Sequence, residues 1–249
     1  MTKEIGRRFM EETRYDRLGV SEQQRGVPQP PLVRAVEEGE GRIALPALDS
    51  FRYPPLDFTA LVTGRKSLRS YAESPLTREE LSFLLWCAQG VKEIRQGVAT
   101  IRTVPSAGAR HAFETYLSVH RVEGLAPGLY RFDALGHGLV RLREDGDFGA
   151  ALAEACFGQS FVERSAVVFA WAAVAHRMTW RYGERGYRYL HLDAGHVCQN
   201  LYLAAEVIGG GACGIAAFDD DAVNRLLGLD GEREFAIYLA AAGKRVSGP

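Results

Sequence analysis

The sequence predicts an α+β protein, on three observations. Stretches of helical and strand periodicity interleave along the chain. A two-armed hairpin in the middle argues against an all-parallel sheet. One long apolar helix, followed directly by a run of very small residues, supplies the element around which the rest is organised.

That helix is expected over Leu190 to Ile208, where Ala194, Val197, Cys198, Leu201, Ala204, Ala205 and Ile208 fill one arc at helical spacing. A helix apolar around most of its circumference has to be buried. Asp193, His196, Gln199 and Asn200 fall at i, i+3, i+6 and i+7, forming one narrow polar stripe. Gly209 to Gly211 are expected to stop the helix. The small residues Ala212 to Ala217 would then let a flat ligand or another backbone lie directly on the main chain.

The other elements follow in order. Residues 1–55 carry six of the ten prolines and no sustained period, and read as an extension that wraps the core or a partner subunit. A helical piece near Lys3 to Leu18 fits within it. Residues 56–249 form the core domain. Thr77 and Glu80 make a capping box, Leu81, Leu84, Leu85 and Ala88 recur at i, i+3, i+4 and i+7, and Gly90 closes that helix. Phe113 to His120 alternates as a half-buried strand does. Gly128 to Phe132 and Leu139 to Leu142 form the hairpin, turning through Leu135 to Gly138. A helix over Asp147 to Phe157 precedes a central strand over Ala166 to Ala175. Arg181 to Tyr189 leads into the long helix, a short helix spans Asp220 to Leu227, and Phe235 to Ala242 is the last strand.

Composition narrows the function classes. With 47% hydrophobic residues in 249, the chain can bury a sizeable core. A formal net charge of −1 gives no general reason to expect nucleic acid or an anionic membrane as partner. The longest apolar run, Ala166 to Ala175, is too short to span a bilayer, and the charged N-terminus has no signal core. Four cysteines without CxxC spacing fit a reducing cytoplasm, and no metal site is expected.

Several constellations could carry chemistry. Arg65-Lys66-Ser67-Leu68-Arg69 offers three cations and a hydroxyl within five residues, as a phosphate requires. Lys244-Arg245, directly after a strand, offers two more. Pro105-Ser106-Ala107-Gly108 could present backbone amides and a hydroxyl to a phosphate or polyol. Taken singly, these read as solvated surface or as turns. The glycines after the long helix lack the spacing of a dinucleotide loop and follow a helix instead of a strand. Neither GxSxG, a Walker loop nor HExxH is present, so the polar stripe is read as satisfying backbone groups. Tyr182, beside Arg181, is a candidate acid or base.

Together these pieces resemble the FMN-dependent nitroreductase family, and within it the SagB-type dehydrogenase branch. The resemblance runs colinearly from Ile43 to Arg245. It rests on Ile43-Ala44-Leu45-Pro46, Arg65 to Tyr71, Val104 to Ala109, Gly128-Leu129-Tyr130, Tyr187-Arg188-Tyr189 and Asp193 to Leu201. It implies a mixed, largely antiparallel sheet flanked by helices, with FMN at a homodimer interface and hydride exchanged with a nicotinamide donor or a small organic or nitroaromatic substrate. It implies that Arg65, Lys66, Ser67 and Arg69 bind the phosphate and the pyrimidine side of the flavin, with Lys244 or Arg245 adding phosphate contacts. Pro105, Ser106, Ala107 and Gly108 would approach from the other protomer, and Ala216 and Ala217 would set a main-chain amide near flavin N5. Arg181-Tyr182 stands where azoline-oxidising members carry Lys-Tyr, which makes this pair the catalytic candidates. Arginine cannot serve as a base near neutral pH. Two alternatives stay open: an azoline dehydrogenase in peptide thiazole or oxazole formation, working beside a cyclodehydratase, and a catalytically degenerate flavin-binding partner subunit.

Overall fold

Strands whose residues are apolar on both faces must be covered on both faces, and the layering of the protein follows from that. The computed structural model describes residues 4–37, 39, 41–50, 52–53 and 56–246. In chain order the elements are α1 (Ile5–Glu12), β1 (Arg42–Ala44), α2 (Phe58–Gly64), α3 (Arg78–Gln89), β2 (Val91–Arg95), β3 (Ala99–Arg102), β4 (Phe113–Val119), β5 (Gly128–Asp133) and β6 (Gly138–Glu144). They continue with α4 (Phe148–Ala155), α5 (Ser160–Glu163), β7 (Val167–Val174), α6 (Ala175–Tyr182), α7 (Gly186–Val207), β8 (Gly210–Ile215), α8 (Asp220–Leu227) and β9 (Glu234–Lys244). Seven strands form one sheet in the order β1-β6-β5-β4-β7-β9-β8, every neighbouring pair antiparallel, while β2 and β3 form a separate hairpin. Among the described residues, parallel pairing is confined to bridges at Ser67–Ala212 and Leu76–Val122.

On one face, α3 and α7 pack Leu81, Leu84, Leu85, Val197 and Leu201 against Phe113, Leu117 and Phe169. On the other, α4, α5 and α8 bring Leu152, Phe161, Val223 and Leu227 against Tyr116, Val168 and Leu239. Each fully buried leucine contributes roughly 1.5–3 kcal/mol of transfer free energy. Thr77 and Glu80 form the reciprocal capping box at the start of α3, which Gly90 ends.

Four expectations need correction. First, β4 is buried along its whole length, not on one face only. Its alternate residues Glu114, Tyr116 and Ser118 face the second layer, where Glu114 is paired with Arg177 of α6. Second, α7 begins at Gly186, four residues before Leu190. Third, Arg181 to Tyr189 is not a simple leader: α6 ends in Tyr182, and Gly183 (φ 51°, ψ −146°) makes the sharp turn into α7, a conformation open essentially to glycine. Fourth, only Gly209, at φ 69°, turns the chain out of α7, whereas Gly210 and Gly211 belong to β8.

Residues 4–37 run over α6 and the start of α7 of their own chain. The guanidinium of Arg185 donates to the Thr13 carbonyl at 2.8 Å, that of Arg188 to the Thr13 hydroxyl at 2.6 Å, and the indole of Trp180 to the Val27 carbonyl at 2.8 Å. Among the described residues no helix is long and apolar enough to cross a membrane.

Candidate functional site

The basic loop is held at the edge of the sheet by its own backbone. Ser67 bridges Ala212 of β8, the Leu68 amide donates to the Ala212 carbonyl at 2.9 Å, and the Tyr71 hydroxyl donates to the carbonyls of Leu68 and Ala241. The side chains are thereby left outside. Lys66, Ser67 and Arg69 are exposed and Arg65 half-exposed, and none of the three cations makes an ion pair among the described residues. Tyr202 of α7 anchors the loop: its hydroxyl lies 3.0 Å from that of Ser67 and accepts the Gly214 amide at 2.7 Å, while Arg65 stacks over its ring at 5.2 Å.

The small residues of β8 are small because protein already occupies the space beside them. A Cβ on Gly211 would stand 2.7–2.8 Å from Leu68, and one on Gly214 would collide with the Tyr238 hydroxyl. Ala216 and Ala217 lie exposed beyond the last residue paired with β9, so bare main chain is presented there and not along the strand itself.

Lys244 and Arg245 are placed differently from the loop. Lys244 is ion-paired with Glu80 of α3 and donates to the Ile208 carbonyl at 3.3 Å. Arg245 is ion-paired with Glu206 and donates to the Gly210 carbonyl at 2.8 Å. Both cations tie the end of β9 to the helices.

A second cluster forms at the other side of α7. The Ala107 amide donates to the Asp193 carboxylate at 3.2 Å, and the Ser106 hydroxyl accepts the His111 amide at 2.9 Å. Burial raises the Asp193 pKa, opposed by its bonds to Ser106 and Ala107. Gly108, at φ 57°, lies so close to Arg181 and Tyr182 that a Cβ would strike the Tyr182 hydroxyl. Tyr182 is half-buried, and burial raises its pKa while Arg181 pulls it down. The pair lines a cavity of about 610 Å³ whose opposite wall is the N-terminal segment, including Tyr15, Arg17 and Gln24.

Thus the predicted residues fall into two groups. Arg65, Lys66, Ser67 and Arg69 lie with Ala216, Ala217, Lys244 and Arg245 around the β8 edge, and Pro105 to Gly108 lie with Arg181 and Tyr182. Their anchors on α7, Tyr202 and Asp193, are nine residues apart: two and a half turns, so opposite sides of the helix, and roughly 13 Å along its axis. Of the polar stripe, Asp193 and Asn200 satisfy backbone groups, Asn200 donating to the Cys87 carbonyl at 2.9 Å, while His196 and Gln199 are exposed. Sequence reasoning passed over Tyr202, whose only signal was a hydroxyl within an apolar arc.

The fold is that of an α+β protein whose two candidate site clusters lie on opposite sides of its longest helix. The nitroreductase family model matches residues 62–244. A nitroreductase-type protein of Methanocaldococcus jannaschii is 37% identical over 182 residues, covering 73% of this chain and 88% of the relative. The crystal structure of a nitroreductase-type protein from Ralstonia eutropha JMP134 superposes with a TM-score of 0.69 at 26% identity, covering 89% of this chain and 95% of the other. The trifolitoxin-processing protein TfxB of Rhizobium leguminosarum bv. trifolii is 33% identical over 115 residues, 43% of this chain and 30% of that protein. The chain belongs to the nitroreductase family, and is an enzyme of the oxidoreductase class.

Proposed function

We propose that the chain is an FMN-dependent oxidoreductase that acts as a homodimer, exchanging hydride between a nicotinamide donor and a small organic or nitroaromatic substrate. The observation that carries this reading is the division of the site. One chain cannot close both surfaces of α7 on a single ligand, whereas a two-fold copy can set the Pro105–Gly108 loop of one protomer opposite the Arg65–Arg69 loop of the other.

The residues present fit FMN. Arg65, Lys66 and Arg69 are cations without counter-charges among the described residues, suited to a phosphate, and the exposed small residues Ala216 and Ala217 offer a surface without bulk for a flat ring. Lys244 and Arg245 reach a phosphate only by leaving Glu80 and Glu206. Bound FMN would supply a reversible two-electron hydride carrier. The chain's own part is to hold the phosphate, orient the ring, and keep a proton on Tyr182 at neutral pH.

The test is spectroscopic. The purified or FMN-reconstituted protein is expected to hold one flavin per chain, to sediment as a dimer, and to bleach on anaerobic addition of NADH or NADPH. A preparation that stays colourless after incubation with FMN, or a flavin-loaded monomer, would overturn the reading.

A second reading, azoline oxidation in a modified peptide, is favoured by the placement of Tyr182 beside a roomy cavity and by the likeness to a trifolitoxin-processing protein. If it holds, Tyr182→Phe lowers turnover of an azoline peptide by about 10²–10⁴-fold, as loss of a general acid–base does. Unchanged turnover in the variant, or an azoline peptide left untouched by wild type, excludes it.

A further inference from the structure

We propose, resting on the flavin reading above, that Gln159 is a positioning residue of that site. It clamps the Ala217–Phe218 peptide so that the segment after β8 meets the ring with N–H groups and not with a carbonyl. That segment belongs to no ladder: β8 pairs with β9 only as far as Ile215, and α8 starts at Asp220. The amides of Ala216, Ala217 and Phe218 find no acceptor among the described residues. Its far end is nevertheless fixed. The Asp219 amide donates to the Ala155 carbonyl at 2.8 Å, the Asp219 carboxylate accepts the Ala222 amide at 2.8 Å as the cap of α8, and Phe218 is buried in the second layer. These contacts leave one freedom. A peptide plane between two held residues can turn over by opposite rotations of the two soft dihedrals beside it, which exchanges the directions of its C=O and N–H.

Gln159 removes that freedom. Its side-chain nitrogen donates to the Ala217 carbonyl at 2.9 Å and to the Cys156 carbonyl at 2.8 Å. Both partners only accept, so the side chain has to present its NH2 and not its oxygen, and both N–H groups are used. With the Ala217 carbonyl turned to Gln159, the Phe218 N–H of the same trans peptide points away from it.

The turn after α4 delivers the side chain to this place. Phe157 at φ 58° and Gly158 at φ 68° reverse the chain, tied by their amides to the carbonyls of Glu154 and Ala153, each at 2.9 Å. A left-handed conformation is unfavourable for a residue as bulky as Phe157, and with the residue 68% exposed, burial of its ring does not offset the strain. The basic loop adjoins the clamp: Arg69 lies over the ring of Phe161, two residues beyond Gln159, at 5.9 Å. Flavin N5 accepts a hydrogen bond when the ring is oxidised and carries a hydrogen when it is reduced. Neighbouring N–H groups therefore favour the oxidised ring, and a carbonyl the reduced one. By holding the carbonyl away, Gln159 keeps the reduction potential low.

The test compares wild type with Gln159→Met, which keeps the length of the side chain and removes both donors. In the flavin-free protein the Ala217 carbonyl 13C resonance is expected to move upfield as its hydrogen bond is lost. In the loaded protein, oxidised FMN is expected to bind about two- to tenfold more weakly, the size of one lost hydrogen bond. Reduced FMN binds at least as tightly as before, so the midpoint potential rises. A role in folding alone would lower the unfolding midpoint, or weaken both redox forms equally, and leave the potential where it is. An unmoved Ala217 resonance, or a potential that stays or falls, overturns the inference while the flavin reading stands. A wild-type protein that takes up no FMN overturns that reading, and the inference with it. Should Gln159→Met fail to fold, Gln159→Leu carries the same comparison.

Discussion

Two basic segments of this chain look alike as strings of residues and differ as charges. Arg65-Lys66-Ser67-Leu68-Arg69 is pinned through its backbone to Ala212, so its cations stand in solvent with no acidic partner among the described residues. Lys244-Arg245 is pinned through its cations, which are spent on Glu80 and Glu206. The contrast teaches that a basic motif is free to take up a phosphate only where the fold satisfies its main chain and leaves its side chains unmatched. Neutralised pairs serve as braces, and their removal is felt as lost stability.

The largest effect that would break this contrast concerns the loop. Arg65→Ala with Arg69→Ala is expected to weaken FMN binding by about 100-fold or more, at roughly 1.5–3 kcal/mol for each charge-assisted bond lost. Titration of the apoprotein with FMN reads this directly. Its unfolding midpoint should scarcely move, since neither arginine is buried. A double variant that still loads flavin normally would show that the loop is ordinary surface.

Next in size is the brace. Lys244→Met leaves the Glu80 carboxylate, mostly buried, without its counter-charge, and should lower the unfolding free energy in urea by about 1–3 kcal/mol. Flavin affinity is expected to stay within about threefold, the scale of an exposed charge. An equal collapse of flavin binding in this variant would mean that Lys244 leaves Glu80 to take up phosphate.

Smallest is the steric link between the two segments. Gly211→Ala sets a Cβ against Leu68, at 2.7–2.8 Å from its side chain, and so presses on the loop from beneath. Overpacking of this kind costs about 1 kcal/mol or more. The expected readout is a modest fall in stability with a several-fold loss of FMN affinity. If stability falls while binding holds, the loop's position does not depend on β8.

Much of the fold was legible because its signals are local. The capping box of Thr77 and Glu80 needs only three residues' separation, and the apolar run Val167–Val174 can belong only to an interior element. α6 was not legible: Ala175–Tyr182 is polar in composition, and it buries Arg177 by virtue of Glu114, sixty-three residues earlier in sequence. β8 was hidden for the opposite reason. Its glycines have poor intrinsic strand preference, and it exists through its ladder with β9 and close packing on Leu68 and Tyr238. At the site, the residue types in the two loops were readable, but Tyr202 was not singled out and the buried arginines were not foreseen. The alternation of β4 had assigned Glu114 to solvent.

By itself, then, the sequence determined the helices with their stops, the apolar strands, and the identity of the chemical groups that could meet a phosphorylated flat ligand. Those depend on near neighbours and on side-chain chemistry. The tertiary structure alone decided which cations stand unpaired among the described residues, which side of α7 each loop occupies, and which arginines are buried. Those depend on pairings between residues far apart in the chain, and an arginine carries the same charge in either place until its partner is known.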